Sequence, residues 1–276
     1  MNMIESITPL SKWVVILLSV AAISGCQDQE VAKLDDGLTA VPDPVPDPVP
    51  DPDPDSNPPP ITGSNFPGVP EYPYRDQLPD LGDTADVTSC SEDGTIANGT
   101  SEHWIVVTIN QNTRCKISGS YFVVQNSTLN DRLSISGGPY AVRYSEITAP
   151  GTGGAVIPRG SEILIEGNVI RDNGTIPSSA DHHGMNVGGD TSGLWILENS
   201  IYQNSGDAIQ FCHSCVGGSH NGPAFVYIAG NVMHDDEENA IDLKEFLGPV
   251  VAVCNEIYGY DVGEFSGNGD AAVSYT

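Results

Sequence analysis

The sequence predicts an all-β solenoid, in which successive coils of the chain stack and their strands pair in parallel. First, one phrase recurs: an apolar residue, two further residues, asparagine or serine, one residue and another apolar residue. Its anchor residues are 19, 23, 31, 32 and 24 positions apart, and repeats of this length with strand-like composition indicate a solenoid. Second, apolar and polar residues alternate with a period of two, which is typical of strands, and helical spacing is absent. The anchors are Asn126, Ser145, Asn168, Asn199, Asn231 and Asn255.

Each repeat contains a second phrase downstream of its anchor. A small residue is followed there by residues that point inward, outward and inward, as in Ala208-Ile-Gln-Phe211 and Ala240-Ile-Asp-Leu243. Every repeat therefore supplies at least two short strands separated by a turn. Asparagine suits such a turn, because it tolerates left-handed backbone and can hydrogen-bond the coils above and below.

These two phrases resemble those of the right-handed, single-stranded parallel β-helix of the pectate-lyase-like superfamily. The resemblance covers residues 88–276 and specifies the fold better than any activity. Gly269–Thr276 begins a strand phrase with no capping element after it. Because an uncapped coil exposes apolar core and unpaired strand groups, we expect this domain to be C-terminally incomplete, or else capped by a partner or a loop.

The N-terminal region reads as an export signal followed by a stalk. Residues 1–25 combine Lys12 with a short apolar stretch, and Ile23-Ser-Gly-Cys26 resembles the bacterial lipobox, in which Cys26 is acylated after cleavage. Ordinary cleavage with a chance cysteine is the alternative. Residues 26–87 carry alternating Pro and Asp, which favours a disordered, extended stalk. The resemblance to bacterial lipoproteins further implies, from Gln27 rather than Asp after the cysteine, lipid anchoring in the bacterial outer membrane, on its periplasmic or cell-surface side.

Five further cysteines are compatible with the disulfides of an exported protein. Cys90 and Cys115 flank the first strands, and we expect them to staple the N-terminal end. Cys212 and Cys215 are expected to form a small disulfide loop, with half of a zinc site or a redox pair as alternatives. Cys254 lies in a strand phrase and is expected to be a small buried residue.

The charge of the chain excludes one class of partner. Lys and Arg number 10 against 37 Asp and Glu, which gives a net charge of −27 and excludes nucleic acid. Lys244 is the only basic residue between positions 172 and 276, and it stands two residues after Asp242.

Stacking the second phrase predicts one polar face. Equivalent positions of successive coils lie about 4.8 Å apart in a parallel stack, so the polar residues of this phrase should form columns. An ordinary solvated sheet face is the alternative. The predicted columns are His183, Asp207 and Asn239 in one, and Asn186, Gln210 and Asp242 in the other, with Lys244 alongside.

The resemblance implies a chemistry for this face. Polysaccharide lyases of this fold mask a uronate carboxylate with calcium and remove the C5 proton with Lys or Arg. It implies Lys244 as the base, although a lysine beside several carboxylates should keep a raised pKa that suits a salt bridge better. A hydrolase would instead use Asp207 and Asp242, with His183 as a fragment of that family's motif. The remaining assignments are Asn186, Gln210, His213 and Asn239 for substrate, and Asp235, Asp236, Glu237 and Asp242 for Ca²⁺.

The sequence therefore predicts a surface lipoprotein whose β-helix engages a polysaccharide or other glycan, with calcium-dependent β-elimination on a uronate polymer as the enzymatic form. The alternative is a non-catalytic glycan-binding or adhesin-like β-helix. In that form Tyr121, Tyr140, Tyr144, Trp195 and Tyr202 would offer faces for sugar stacking.

Overall fold

A computed structural model describes residues 66–211, 223–244 and 248–260, together with the backbone of 272–274. The predicted parallel β-helix is confirmed, because every pairing between its strands is parallel and each strand pairs with its equivalent one coil away. Three sheets run along the solenoid. We call them sheets 1, 2 and 3 in the order in which the chain visits them within a coil.

The strands are short, and one of them serves two sheets. Sheet 1 contains β1 (Thr95–Asn98), β4 (Cys115–Ser120), β7 (Leu133–Gly137), the first half of β10 (Gly154–Glu166), β12 (His183–Val187), β15 (Ile209–Phe211), β18 (Ile241–Leu243) and β21 (Ala272–Ser274). Sheet 2 contains β2 (Ile105–Val107), β5 (Phe122–Gln125), β8 (Tyr140–Arg143), the second half of β10, β13 (Ser192–Leu197), β16 (Ala224–Ala229) and β19 (Val250–Val253). Sheet 3 contains β3 (Asn110–Gln111), β6 (Thr128–Leu129), β9 (Glu146–Thr148), β11 (Val169–Arg171), β14 (Ser200–Tyr202), β17 (Val232–His234) and β20 (Glu256–Tyr258).

The core lies inside the coils and follows the period-two pattern of the sequence. In sheet 1, Met185 pairs with Ile209 and Ile209 with Ile241, and all three side chains are buried. The intervening residues Asn186 and Gln210 point to the outer face. Register is fixed because a slip of one residue would exchange the inner and outer side chains.

A ladder of polar side chains closes the corner between sheets 2 and 3. The side-chain oxygen of Asn199 accepts hydrogen bonds from the backbone N–H and Nδ2 of Asn168, each at 3.0 Å, and Asn231 does the same for Asn199. Asn255 continues the series below Asn231. Buried backbone donors at this turn are therefore satisfied by the neighbouring coil.

The ladder corrects one anchor of the sequence prediction. The ladder residue that precedes Ser145 is Ser127 and not Asn126, because the Ser127 N–H donates to Ser145 Oγ at 3.1 Å. Asn126 takes the left-handed conformation (φ 50°), as do Tyr144 and Glu198, which also directly precede a ladder residue. The left-handed position and the rung are thus two consecutive residues, whereas the sequence prediction assigned both properties to one asparagine.

A second ladder closes the corner after sheet 3. Asn173 N–H donates to Asn204 Oδ1 at 3.2 Å, and Asn204 donates from its N–H and Nδ2 to Asp236 Oδ1 at 2.9 and 2.7 Å. The Tyr260 hydroxyl donates to the other oxygen of Asp236 at 2.5 Å. Asp236 is thus an acid at a position that asparagine occupies in two preceding coils. Burial raises the pKa of Asp236 to about 8, although the hydrogen bonds from Tyr260 and Asn204 act in the opposite direction.

Residues 66–87 form a strap along the outer face of sheet 2, so the predicted boundary at residue 88 lies too late. The strap includes a short 3₁₀ helix, Arg75–Gln77. Its Val69 and Tyr72 are buried with Trp104, Leu164 and Trp195 in a second apolar cluster outside the coils. The strap crosses the coils in the reverse of their chain order. It begins with Phe66 close to Gly230 and ends with a parallel bridge between Val87 and Val107.

Polar contacts fix the strap at almost every coil. Trp195 Nε1 donates to the Pro70 carbonyl at 2.7 Å, and the Tyr72 hydroxyl donates to the Glu162 carbonyl at 3.0 Å. Arg75 Nη1 contacts both carboxylate oxygens of Glu166, at 2.6 and 2.7 Å. Further on, side chains in or directly after strands of sheet 2 donate to strap carbonyls: Arg143 to Pro79, Gln125 to Asp80 and Asn126 to Leu81.

The disulfide between Cys90 and Cys115 is confirmed, with a Cα–Cα distance of 5.3 Å. It ties the segment before β1 to the first residue of β4. Cys254 is also disulfide-bonded and only partly buried, so the expectation of a small buried residue is wrong. Cys26, Cys212 and Cys215 lie outside the described residues, and their predicted roles stay predictions.

Candidate functional site

The predicted polar face lies on the outer side of sheet 1. Strand register places Asn186 beside Gln210 and Gln210 beside Asp242. Gln210 is fully buried and Asp242 is 2% exposed, although both point away from the core. This part of the face is therefore not an ordinary solvated sheet surface. His213 lies outside the described residues.

Asp207 is the centre of this polar group and is fully buried. Its Oδ1 accepts hydrogen bonds from Asn239 N–H and Nδ2 at 3.2 and 2.7 Å, and its Oδ2 accepts from Gln210 Nε2 at 3.0 Å. His183 Nδ1 lies 3.1 Å from Oδ2 and accepts the Asp207 N–H at 3.0 Å. The structure thus brings together both predicted columns, but it surrounds Asp207 so completely that a ligand has no access to it.

Lys244 forms an ion pair with Asp242, with 3.0 Å between Nζ and Oδ2. Partial burial lowers the pKa of Lys244, but the hydrogen bond to Asp242 and the charges of Asp242, Asp207 and Glu238 outweigh it, so the pKa is raised. The expected salt-bridge behaviour of Lys244 is therefore confirmed. A lysine with a raised pKa stays protonated at neutral pH and is a poor proton acceptor.

Two buried acceptors beside this ion pair lack a donor among the described residues. They are Asp242 Oδ1 and Gln210 Oε1. Burial raises the pKa of Asp242, against a hydrogen bond from Lys244 that lowers it.

Glu238 is the carboxyl group of this cluster that solvent reaches. Its oxygen lies within 4.8 Å of ligand atoms of both Asp207 and His183. Burial raises the pKa of Glu238 to about 7, and the charges of Asp207 and Asp181 add to this effect while Lys244 opposes it. Glu238 was not among the predicted site residues, because the acidic run that contains it was interpreted as a source of calcium ligands.

The structure does not bring the four predicted calcium ligands together. Asp235 is exposed and pairs with His234 at 2.8 Å, whereas Asp236 points into the second ladder. Glu237 accepts the Ser178 N–H with both oxygens at 2.9 Å, and Asp242 pairs with Lys244. Three consecutive acids thus serve three different contacts. These residues do not fit one calcium ion, and we derive no calcium-dependent step.

Across the described ranges, one set of three potential metal ligands lies together, namely His183, Asp207 and Glu238. The lone pair of His183 Nδ1 already accepts the Asp207 N–H, and both Asp207 oxygens accept protein hydrogen bonds. A metal ligand must offer a free lone pair, and the Nδ1 lone pair of His183 is already used, so we assign no metal to this set.

Four basic residues lie on the outer face of sheet 1, in coils that come before the polar group in the chain. None of them was predicted from the sequence as a site residue. Lys116 and Arg159 are exposed on β4 and β10, and Arg114 and Arg132 directly precede β4 and β7. Because Cys115 pairs with Leu133, Arg114 and Arg132 are neighbours, and the positive charge of Arg114 contributes to the lowered pKa of Arg132, behind burial. Among the described residues none of the four has an ion pair, and we call them the basic patch.

The aromatic residues predicted as sugar-stacking faces are mostly covered. Tyr140 is fully buried and stacks on Phe122, and Trp195 is 5% exposed beneath the strap. Tyr121 contacts Tyr74 of the strap. Tyr202 stacks on His234 with 4.7 Å between the ring centroids. Both rings lie in sheet 3, whereas the polar group lies on sheet 1. These rings therefore serve packing rather than a common ligand surface.

Comparisons with known proteins add little to this geometry. No family profile and no curated protein match the sequence. A solved structure, the A-module of a mannuronan C-5 epimerase from Azotobacter vinelandii, aligns with 13% identity and a TM-score of 0.36, over 66% of this chain and 55% of that module. The chain thus spans about half the length of that module. Within the described part of the chain, no helix is long and apolar enough to cross a membrane.

Proposed function

We propose that this β-helix binds an anionic polysaccharide along the outer face of sheet 1. The observation that carries the proposal is the basic patch. In a chain of charge −27, four bases that lie on or directly before adjacent strands, and form no ion pair among the described residues, create a local site for an anion. Their side chains are exposed or half-exposed, so a polymer can reach them.

The geometry favours an extended ligand over a small one. Lys116 and Arg159 lie two strands apart in sheet 1, because β7 pairs with both β4 and β10. Adjacent parallel strands are about 4.8 Å apart, so this part of the patch extends about 10 Å along the solenoid. Further strands of the same sheet lead to Asn186 and then to Glu238 and Lys244. A repeating chain of charged sugars matches a face built from repeating coils.

The chemistry that we propose for the bound polymer is β-elimination. A uronate residue carries a carboxylate next to C5, and a cation beside that carboxylate favours removal of the C5 proton. Lys244 supplies a fixed positive charge, but it is not the base that the resemblance implied. Lipid anchoring at Cys26 and an outer-membrane location remain part of the proposal, and Cys26 lies outside the described residues.

Binding to acidic polysaccharides tests the basic patch. We expect the protein to bind polygalacturonate or alginate and not dextran, and binding should weaken as salt rises, because exposed charges are screened. Lys116→Gln combined with Arg159→Gln should weaken binding about tenfold, since each lost exposed charge contributes on the order of 0.5–1 kcal/mol. The measurement is titration of labelled oligosaccharides by fluorescence anisotropy.

Arg171→Gln provides the matched control. Arg171 is also a surface base, but it lies in sheet 3 and pairs with Glu146 and Asp172. It should leave the affinity unchanged. Equal binding to dextran, or an equal loss in the Arg171 variant, would contradict the proposal. Tighter binding to single-stranded DNA than to polyuronate would assign the basic patch to a different ligand.

A further inference from the structure

We infer that Glu238 is the residue that accepts a proton from the bound polymer. This inference rests on the proposed function, and it assigns the base to a residue outside the resemblance. Three observations carry it: the solvent access of Glu238, its place beside Asp207 and His183, and the state of the other candidates.

The other carboxylates and the lysine are already engaged. Asp207 is fully buried, and both of its oxygens accept protein hydrogen bonds. Asp242 is 2% exposed and pairs with Lys244, which stays protonated. His183 is 2% exposed, and its Nδ1 accepts the Asp207 N–H. In this cluster Glu238 therefore combines solvent access with a carboxyl group that forms no ion pair among the described residues, and its hydrogen-bond partner Asp181 is exposed.

The surroundings of Glu238 suit proton transfer near neutral pH. The charged and titratable groups around it are Asp207 and His183 from neighbouring coils, Asp181 from the loop before β12, and Lys244. Burial and the two aspartates raise the pKa of Glu238 to about 7, with Lys244 acting in the opposite direction. A base whose pKa lies near the working pH is present in its ionised form and still binds a proton strongly.

The step balances without a co-reactant. The Glu238 carboxylate takes the C5 proton, and the electron pair of the C5–H bond becomes the C4–C5 double bond. The C4–O4 bond breaks, its electrons stay on the glycosidic oxygen, and that oxygen takes the proton back from the Glu238 carboxyl group. The products are an unsaturated sugar end and a free hydroxyl group, and nothing is oxidised or reduced overall. Lys244, whose positive charge acts on Glu238, stabilises negative charge on the uronate.

Turnover by matched variants tests the inference. With a polyuronate that the protein binds, Glu238→Gln should lower the rate of unsaturated-product formation at least ~100-fold, while the affinity measured by anisotropy stays within about twofold. Glu256→Gln removes an exposed acid from sheet 3 and should change neither quantity. A Glu238 variant that keeps more than about a third of the wild-type rate would overturn the assignment.

The pH profile separates a base from a merely structural residue. The wild-type rate should rise with pH and reach half its maximum near pH 7, because the ionised form of Glu238 is the active one. Asp181 is exposed, and its charge and hydrogen bond both raise the pKa of Glu238. Asp181→Asn should therefore move the midpoint to lower pH, and an unmoved midpoint would count against the inference.

The failure of this inference is distinguishable from failure of the proposed function. If the wild type binds polyuronates through the basic patch but releases no unsaturated product from any of them, Glu238 is not a base and the binding function stands. If the wild type binds no acidic polymer, the proposed function itself is wrong.

Discussion

Arg75→Ala is expected to destabilise the domain by about 3–5 kcal/mol, because it leaves the Glu166 carboxylate buried without its main partner. The Glu166 side chain is 4% exposed, and Arg75 contacts both of its oxygens. The loss also frees the middle of the strap, so the apolar cluster around Trp195 should open with it. The free energy of unfolding from urea denaturation, followed by tryptophan fluorescence, measures this effect.

Two variants make the result interpretable. Arg171→Ala removes an arginine whose ion pair lies at the surface, with side-chain exposures of 32% and 43%, and should cost less than about 1 kcal/mol. Combining Arg75→Met with Glu166→Leu removes both buried charges and should recover much of the loss. A similar cost for Arg75→Ala and Arg171→Ala would show that the strap contributes little to stability.

Asp236→Asn is expected to stabilise the domain increasingly as pH rises. The pKa of Asp236 is about 8 in the fold against an ordinary value of 3.8. The wild type therefore has its full stability below pH 3.8 and loses it as pH rises towards 8, because unfolding then lets the carboxyl group ionise. Each pH unit in this range corresponds to about 1.4 kcal/mol, so the advantage of asparagine should grow by several kcal/mol.

The second ladder shows why asparagine fits at position 236. Asn173 and Asn204 hold the equivalent rung in the two preceding coils. An amide oxygen accepts the two hydrogen bonds from Asn204 as a carboxylate oxygen does. On the other side, the amide that Asp236→Asn introduces can donate from its Nδ2 to the Tyr260 hydroxyl oxygen, which now donates to Asp236. The substitution therefore leaves both neighbours of the rung with a hydrogen-bond partner.

Asp235→Asn serves as the control for this experiment. It removes the same charge at the neighbouring position, but the Asp235 side chain is 52% exposed and pairs with His234. Unfolding measured at about pH 5 and about pH 8.5 should show a growing gain for Asp236→Asn and a nearly constant difference for Asp235→Asn. Parallel pH dependence in the two variants would contradict the assignment of a buried, neutral Asp236.

The coil architecture was predictable because each coil is formed by a short sequence repeat. The phrases around Asn168, Asn199 and Asn231 place a rung, a turn and two inward residues at fixed spacing, and the stacked coils reproduce them. The strap was not predictable from the same pattern, because it crosses the strands and has no period. Its sequence did carry a signal, since Phe66 and Tyr72 are aromatic residues that a solvated stalk does not need.

The candidate site was predictable only in part. Comparing equivalent positions of successive coils placed His183, Asp207 and Asn239 in contact, as the structure does. The predicted polar columns lie in the later coils, and they do not include the basic patch, whose four residues lie in the earlier coils. The sequence also does not show whether a side chain is buried or exposed. One run of acids contains both a buried ladder residue, Asp236, and a half-exposed carboxyl group, Glu238.

The strap has a consequence for the order in which the molecule folds. Its contacts join residues that are far apart in the chain: 125 positions separate Pro70 from Trp195, and 91 separate Arg75 from Glu166. The strap is synthesised before the coils, yet its docking surface is complete only when the coil containing Trp195 has stacked. Loop closure over such distances is slow. The first segment of the domain to leave the ribosome is therefore the last to dock, and until then the outer apolar face of sheet 2 is open to other chains.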